Sequence, residues 1–174
     1  MKDLSAYRSW LVLSLLPNIG RTRFTRLVRH FQGADPVLGA SPRQLLEVEG
    51  IGELAVESIV NWKDKVDPDT ELERIEQCGV RLACLQDEEY PLNLSRMHVP
   101  PALIYYRGTL LPHDKAAVAV VGTRKMSRYG REAARDLSAE LARAGVTIVS
   151  GLAIGVDSEA HRAALEAGGR TLAV

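Results

Sequence analysis

Four basic side chains follow an apolar run that is typical of a buried strand. The run covers residues 116–121 and ends in a turn at Gly122. A guanidinium group can bind two phosphate oxygens at once, which an ammonium group cannot do. The pattern therefore predicts an anion site with a preference for phosphate. The four basic residues, all within eight positions, are Arg124, Lys125, Arg128 and Arg131.

A second glycine-bearing loop follows the next predicted strand. The sequence SGLAIGVD contains Ser150, Gly151 and Gly155. Ligands of parallel sheets bind beyond the carboxyl ends of the strands, which is where both loops are expected to lie. We expect the two loops to form one phosphate-binding crevice. Neither loop has the glycine spacing of a dinucleotide-binding or Walker motif, so no cofactor is expected.

The elements that must position these loops alternate regularly along the second half of the chain. Strands alternating with helices through short connections predict an α/β domain with a Rossmann-like parallel sheet and helices on both faces. Because the chain stops at TLAV, inside what should be a central strand, we expect a truncated sheet. The predicted order is strand 116–121, helix 129–144, strand 146–149, helix 156–167 and strand 170–174.

The first 66 residues have the pattern of short helices, with Ser41 as the predicted N-cap of one of them. LLEVEGIGELAVESIV resembles a helix-hairpin-helix motif, whose glycine turn leaves backbone N–H groups free to bind a phosphate. LPNIGRTRFTRLV resembles a degenerate first copy. Glutamates surround the second turn and would repel a phosphate. The hairpins therefore either contact DNA, in which case the basic first copy is the favoured face, or serve packing alone. The candidates for a secondary DNA or partner contact are Arg21, Arg23, Gly50 and Gly52.

Charge is unevenly distributed, although 22 Lys and Arg residues balance 22 Asp and Glu residues. Residues 1–43 carry seven basic and two acidic residues, and residues 115–131 carry five basic and no acidic residues. A polyanion is therefore expected to contact one of these stretches. Two cysteines and four scattered histidines form no disulfide or zinc pattern, so no metal is expected. The cysteines are predicted to be buried, reduced thiols of a cytoplasmic protein. No apolar run approaches the roughly 18 residues of a membrane span, so no membrane partner is expected.

The motifs of the second half closely resemble those of the DprA (Smf) family of DNA-processing proteins. VVGTRKMSRYG and VSGLAIGVDSEAHRAALEAGGRTLAV carry the resemblance, preceded by DEEYP and PPALIYYRG. It extends through the N-terminal helices and covers essentially the whole chain. The resemblance implies a helical SAM-like domain, residues 1–66, followed by the N-terminal part of an extended Rossmann-like domain, residues 72–174.

The resemblance also implies a function. A protein of this kind binds single-stranded DNA taken up in natural transformation, protects it and loads the RecA recombinase onto it. It acts as a homodimer in its full-length form and is not an enzyme. Arg124 stands at the position of the family's DNA-binding arginine. The residues expected to bind DNA are Gly122, Thr123, Arg124, Lys125, Arg128, Ser150, Gly151 and Gly155.

Three further features each allow two interpretations. Asp157 and His161, four apart on one helix, are either an acid–base pair or a helix-start carboxylate with a histidine packed or bonded to it. Tyr129 either stacks on a base or anchors packing. Arg131 and Arg135 either bind a polyanion or only solvate a helix face.

Two other functions stand beside DNA binding. Similar Rossmann scaffolds carry enzymes that hydrolyse or transfer small nucleotides, although the triple-glycine loop and glutamate-rich signature typical of those enzymes do not occur here. Alternatively, the helical domain recruits protein partners and the crevice is empty.

Overall fold

The computed structural model describes residues 3–174, which form two compact units divided between Leu110 and Leu111. The first unit is mainly helical and contains one antiparallel strand pair, β1 with β2. Its elements, in chain order, are α1 (Arg8–Leu15), α2 (Arg21–His30), α3 (Asp35–Gly39), α4 (Pro42–Leu46), α5 (Glu53–Val60), α6 (Pro68–Gln77), β1 (Arg81–Cys84), α7 (Leu92–Ser95) and β2 (Leu103–Tyr106).

The helical unit is built around an aliphatic core. Every side chain of α1 from Trp10 to Leu13 is buried, which places this helix at the centre of the unit. The neighbouring α2 is amphipathic and buries Phe24 and Leu27, while its arginines lie on the opposite, exposed face. The predicted N-cap at Ser41 is confirmed, because its hydroxyl accepts a hydrogen bond from the Gln44 N–H at the start of α4.

The antiparallel strands complete the core of the helices. Leu82 and Cys84 of β1 are buried in the same cluster as the helical core. The buried carboxylate of Asp87 accepts hydrogen bonds from the Tyr7 hydroxyl, at 2.7 Å, and from the Cys84 N–H, at 2.8 Å. Burial and the hydrogen bond to Asp87 raise the pKa of Tyr7. The first compact unit runs to Leu110 and so includes residues 66–72, where the sequence predicts a domain boundary; that boundary stays a prediction.

The second unit contains the parallel sheet that the alternation predicts. Its strands lie in the order β3-β4-β5, and both pairs are parallel. The observed elements start and end within three residues of the predicted ones. They are β3 (Ala117–Ala119), α8 (Arg128–Arg143), β4 (Thr147–Ser150), α9 (Val156–Glu166) and β5 (Thr171–Ala173).

Both helices of this unit cover the same face of the sheet. The fully buried Ile148 of β4 packs in one cluster with Ala142 of α8 and Ala160 of α9. Right-handed crossovers between strands in sequential order place their helices on one side, whereas helices on both sides require a strand order that reverses. Within the second unit, both helices therefore lie on one face of the sheet, and the prediction of helices on both faces is wrong for this unit.

An ion pair closes the end of the sheet opposite the crevice. Asp114, in the 3-10 turn Pro112–Lys115, accepts hydrogen bonds from the Leu111 N–H at 2.8 Å and from the Thr147 hydroxyl at 3.1 Å. The guanidinium of Arg170 also binds this carboxylate, with one contact of 2.7 Å. Burial acts to raise the pKa of Asp114, but the hydrogen bonds from Arg170, Leu111 and Thr147 outweigh it and hold the pKa below its usual value.

Asp114→Asn is expected to destabilise the α/β unit by about 2 kcal/mol at pH 7, because it removes the carboxylate that pairs with the half-buried guanidinium of Arg170. The folded-state pKa of Asp114 lies below the unfolded value of about 3.9. Its contribution is therefore complete above the unfolded value and is lost as the pH falls through the folded-state pKa. Urea unfolding at pH 7 and pH 3 measures the loss of stability in the variant and its dependence on pH.

The control is Glu132→Gln, which removes an exposed ion pair with Arg128 and should change stability by less than about 0.5 kcal/mol. Equal losses in the two variants would contradict this role.

Candidate nucleic-acid interface

Two loops meet at the carboxyl ends of β3 and β4. We call residues 122–128 the basic loop and residues 150–155 the glycine loop. The N–H of Val156, directly after the glycine loop, donates a hydrogen bond of 3.2 Å to the carbonyl oxygen of Thr123 in the basic loop. The structure thus brings together the two segments that the sequence predicts to share one crevice.

Gly155 allows the loops to approach this closely. Its backbone has φ +105° and ψ −132°, a conformation essentially confined to glycine. A Cβ atom at this position would overlap the Thr123 carbonyl oxygen and would lie 2.7 Å from the Arg124 Cα. At the other side of the contact, the Val156 side chain fills the space beside Gly122. The crevice therefore depends on two positions without a side chain.

The basic loop is held at both ends by short-range hydrogen bonds. The Thr123 hydroxyl accepts a hydrogen bond of 3.1 Å from the Lys125 N–H and donates one of 3.2 Å to the Lys125 carbonyl oxygen. The Ser127 hydroxyl caps α8 by accepting a hydrogen bond of 3.1 Å from the Gly130 N–H. The backbone that carries Arg124 is therefore fixed, and its exposed side chain is free to reach a ligand.

The crevice is a cavity of about 360 Å³ whose charged lining is mostly basic. Its one carboxylate, Glu159 of α9, is only 3% exposed and forms an ion pair of 3.1 Å with Arg162. Among residues 3–174, no carboxylate lies within ion-pair distance of the other three cationic side chains. These three, which we call the crevice cations, are Arg124, Lys125 and Arg131.

Not every predicted site residue faces this cavity. Arg128 is exposed and forms an ion pair of 3.0 Å with Glu132, one turn along α8, beside a neighbouring depression. Ser150 is buried, and its hydroxyl donates a hydrogen bond of 2.6 Å to the Val120 carbonyl oxygen, so it holds β4 against the end of β3. Gly151 is exposed beside the carboxylate of Asp157, outside the cavity lining.

Two cavity-lining arginines, Arg131 and Arg162, are not among the residues expected to bind DNA. Arg131 is a crevice cation, although the sequence equally allows it to be a solvated helix charge. Its neighbour one turn on, Arg135, instead forms an ion pair of 2.8 Å with Glu166 of α9. Arg162 belongs to no recognisable motif. The one signal in the sequence is its spacing of three residues from Glu159 and four from Ser158, which places all three on one face of α9, and all three line the cavity.

His161 has a packing role. The Thr171 hydroxyl donates to the Ile148 carbonyl oxygen at 2.9 Å, so it accepts the 2.6 Å hydrogen bond from His161 Nδ1–H. The other ring nitrogen, Nε2, is buried and has no hydrogen-bond partner within residues 3–174. His161 therefore bonds to Thr171 of the sheet, so of the two local roles expected beside Asp157, packing or a hydrogen bond, the hydrogen bond is made to another residue. Tyr129 is 79% exposed and is not part of the crevice lining.

In the helical unit, arginines of α2 bind the glycine turn between α4 and α5. The Arg23 guanidinium donates hydrogen bonds to the carbonyl oxygens of Gly50, at 2.9 Å, and Asn18, at 2.8 Å. Arg26 donates to the carbonyl oxygen of Glu49 at 2.9 Å. Arg23 and Gly50 thus hold the two hairpins together, which is the packing role that the sequence allowed as the alternative to DNA contact.

The other two candidates of this unit face solvent. Arg21 is exposed at the start of α2, and Gly52 is the N-cap of α5. Within residues 3–174, no three His, Cys, Asp or Glu side chains are grouped to hold a metal ion. No helix of the same residues has the length and apolar character to cross a membrane.

The chain is similar in sequence to known proteins. Residues 81–174 match the family model of DNA recombination-mediator protein A. The chain is 35% identical over 169 residues to the Smf protein of Synechocystis sp., a match covering 95% of this chain and 42% of that protein. It is 37% identical over 98 residues to the DNA processing protein DprA of Bacillus subtilis, covering 55% of this chain and 33% of that protein. The chain thus spans less than half the length of these relatives.

The fold has a counterpart among solved structures. The X-ray structure of DNA processing protein A (DprA) from Streptococcus pneumoniae matches with a TM-score of 0.73 and 27% sequence identity. The match covers 100% of this chain and 57% of the other. It confirms the predicted fold class, a helical N-terminal part followed by a Rossmann-like parallel sheet.

Proposed function

The chain belongs to the DNA recombination-mediator protein A family, and from that premise we propose that the crevice of its α/β unit binds single-stranded DNA through the phosphates. The observation that carries the proposal is the group of three crevice cations, which line one cavity without a carboxylate partner among the described residues. Clustered arginine and lysine side chains attract a polyanion and position its backbone. Gly155 and Thr123 support this site by fixing the loop that carries Arg124.

The form of the crevice favours a flexible single strand. A crevice of about 360 Å³ has the size of a small-ligand pocket, which suits the nucleotide-sized groups of one flexible strand. The crevice cations recognise phosphate, which is the same in every sequence. We therefore expect binding that tolerates sequence and prefers single-stranded to double-stranded DNA.

We extend the proposal to the biological role on the basis of family membership. The DNA is the strand taken up in natural transformation, and the full-length protein acts in the cytoplasm as a homodimer that loads the RecA recombinase without catalysing a reaction. The names of the Bacillus and Streptococcus relatives, both DNA processing proteins, support a role in DNA processing. In the helical unit, Arg21 and Gly52 are the better candidates for a second contact, since Arg23 and Gly50 bind each other.

Fluorescence anisotropy tests the proposal against its alternatives. A labelled oligothymidylate and a single strand of mixed sequence are expected to bind with similar affinity, and a duplex of the same length more weakly. A nucleoside monophosphate should not displace the strand at micromolar concentration. Displacement at that concentration would favour a small-nucleotide enzyme, and no binding of any DNA would favour an interaction scaffold.

A further inference from the structure

The glycine loop carries two large apolar side chains that project into solvent. Leu152 is 67% exposed and Ile154 is 81% exposed. Ile154 lines the same cavity as the crevice cations. An apolar surface therefore borders the basic one within a single short loop.

Leu152 occupies a backbone conformation that leucine rarely adopts. Its φ is +54°, in the left-handed region where glycine and asparagine are the usual residues. The loop that imposes this conformation is held by hydrogen bonds from Val156 N–H to Thr123 and from Ser158 N–H to Ala153. Leu152 is exposed, so burial of its side chain among the described residues does not offset this strain, whereas contact with a ligand would.

We propose that Leu152 and Ile154 form an apolar ledge that contacts the faces of unstacked bases in a DNA strand whose phosphates lie on the crevice cations. This inference rests on the proposed function and adds a contact to the bases. A ligand that fits the combined surface must present several negative charges and flat apolar faces a short distance apart, as a single nucleic-acid strand does. The ledge side chains carry no hydrogen-bonding group, so the contact adds affinity without selecting a sequence.

A strand without bases separates this contact from phosphate binding. We compare oligothymidylate with an abasic deoxyribose-phosphate strand of equal length, using the 174-residue chain and the double variant Leu152→Asn, Ile154→Ser. Asparagine tolerates the left-handed conformation, so the loop keeps its backbone. The control is Leu165→Asn, which alters an exposed leucine of α9 that does not line the crevice.

The double variant is expected to bind oligothymidylate about fivefold or more weakly than the unaltered chain and to bind the abasic strand within about twofold of it. Leu165→Asn should change neither affinity. Equal losses for both strands would overturn the ledge, because the variant would then act on the phosphate site. Unchanged affinity for both strands would also overturn it and would assign the surface to a protein partner. If the unaltered chain binds the abasic strand as tightly as oligothymidylate, the proposed contact between the ledge and the bases is wrong, while the proposed binding of phosphates is retained.

Discussion

Replacing Arg124 with alanine is expected to weaken the binding of single-stranded DNA about tenfold or more while leaving the chain folded. The side chain lines the crevice and has no carboxylate partner among the described residues. Its backbone is packed against Gly155, so the guanidinium starts from a fixed point. A charge-assisted hydrogen-bond pair to phosphate in a partly desolvated site contributes roughly 1.5–3 kcal/mol, which is about one to two orders of magnitude in affinity.

Two matched variants control for loss of positive charge. Arg135→Ala removes an arginine of α8 that is paired with Glu166, and it should change DNA affinity by only a few tenths of a kcal/mol. Arg124→Lys keeps the charge but not the two-pronged geometry, so it should recover part of the affinity. Circular dichroism establishes that each variant is folded. If the two alanine variants bind DNA alike, the basic loop is not the DNA site.

Replacing Gly155 with alanine is expected to destabilise the α/β unit by about 3 kcal/mol or more. The backbone conformation is strained for any residue with a Cβ atom, and that atom would overlap the backbone of Thr123 and Arg124. Backbone atoms cannot move aside as the end of a flexible side chain can, so the loops must separate. Urea unfolding followed by circular dichroism measures the loss, and anisotropy should show weakened DNA binding in whatever fraction stays folded.

Gly145→Ala is the matched control for this effect. Gly145 also has a positive φ, +81°, but a Cβ atom there would meet nothing within 4 Å. Its substitution should lower the free energy of unfolding by only about 1 kcal/mol, because only the unfavourable backbone conformation of alanine contributes. If Gly155→Ala is no more destabilising than Gly145→Ala, the two loops do not make the contact described above.

Local patterns in the sequence predict the α/β unit well because its elements are set by nearby residues. The valine-rich run and the cap at Ser127 fix where β3 and α8 lie, and the glycines mark the ends of strands. The convergence of the two loops follows from the general geometry of parallel sheets, which places consecutive strand ends at one edge. The same reasoning predicts Arg124, Lys125 and Gly155 at the crevice.

Contacts between distant residues could not be predicted in this way. Ser150 has the residue type of a phosphate ligand, but its burial and its hydrogen bond to the Val120 carbonyl oxygen depend on how β3 pairs with β4. The sequence gives no reason to prefer Arg131 over Arg128 as a crevice residue. In the structure, Arg128 pairs with Glu132, whereas the Arg131 side chain lines the crevice. The strand pair of the helical unit likewise has an ordinary strand pattern, and its place in the helical core is a property of tertiary packing.

The salt dependence of DNA affinity tests the central claim most directly. Each phosphate neutralised on a single strand contributes a slope of about −0.7 in log affinity against log salt concentration, so three crevice cations predict a slope near −2. Arg124→Ala should make the slope less steep by about 0.7, while Arg135→Ala should leave it unchanged. A salt-independent affinity, or equal slopes for the unaltered chain and Arg124→Ala, would contradict the binding of DNA phosphates in this crevice.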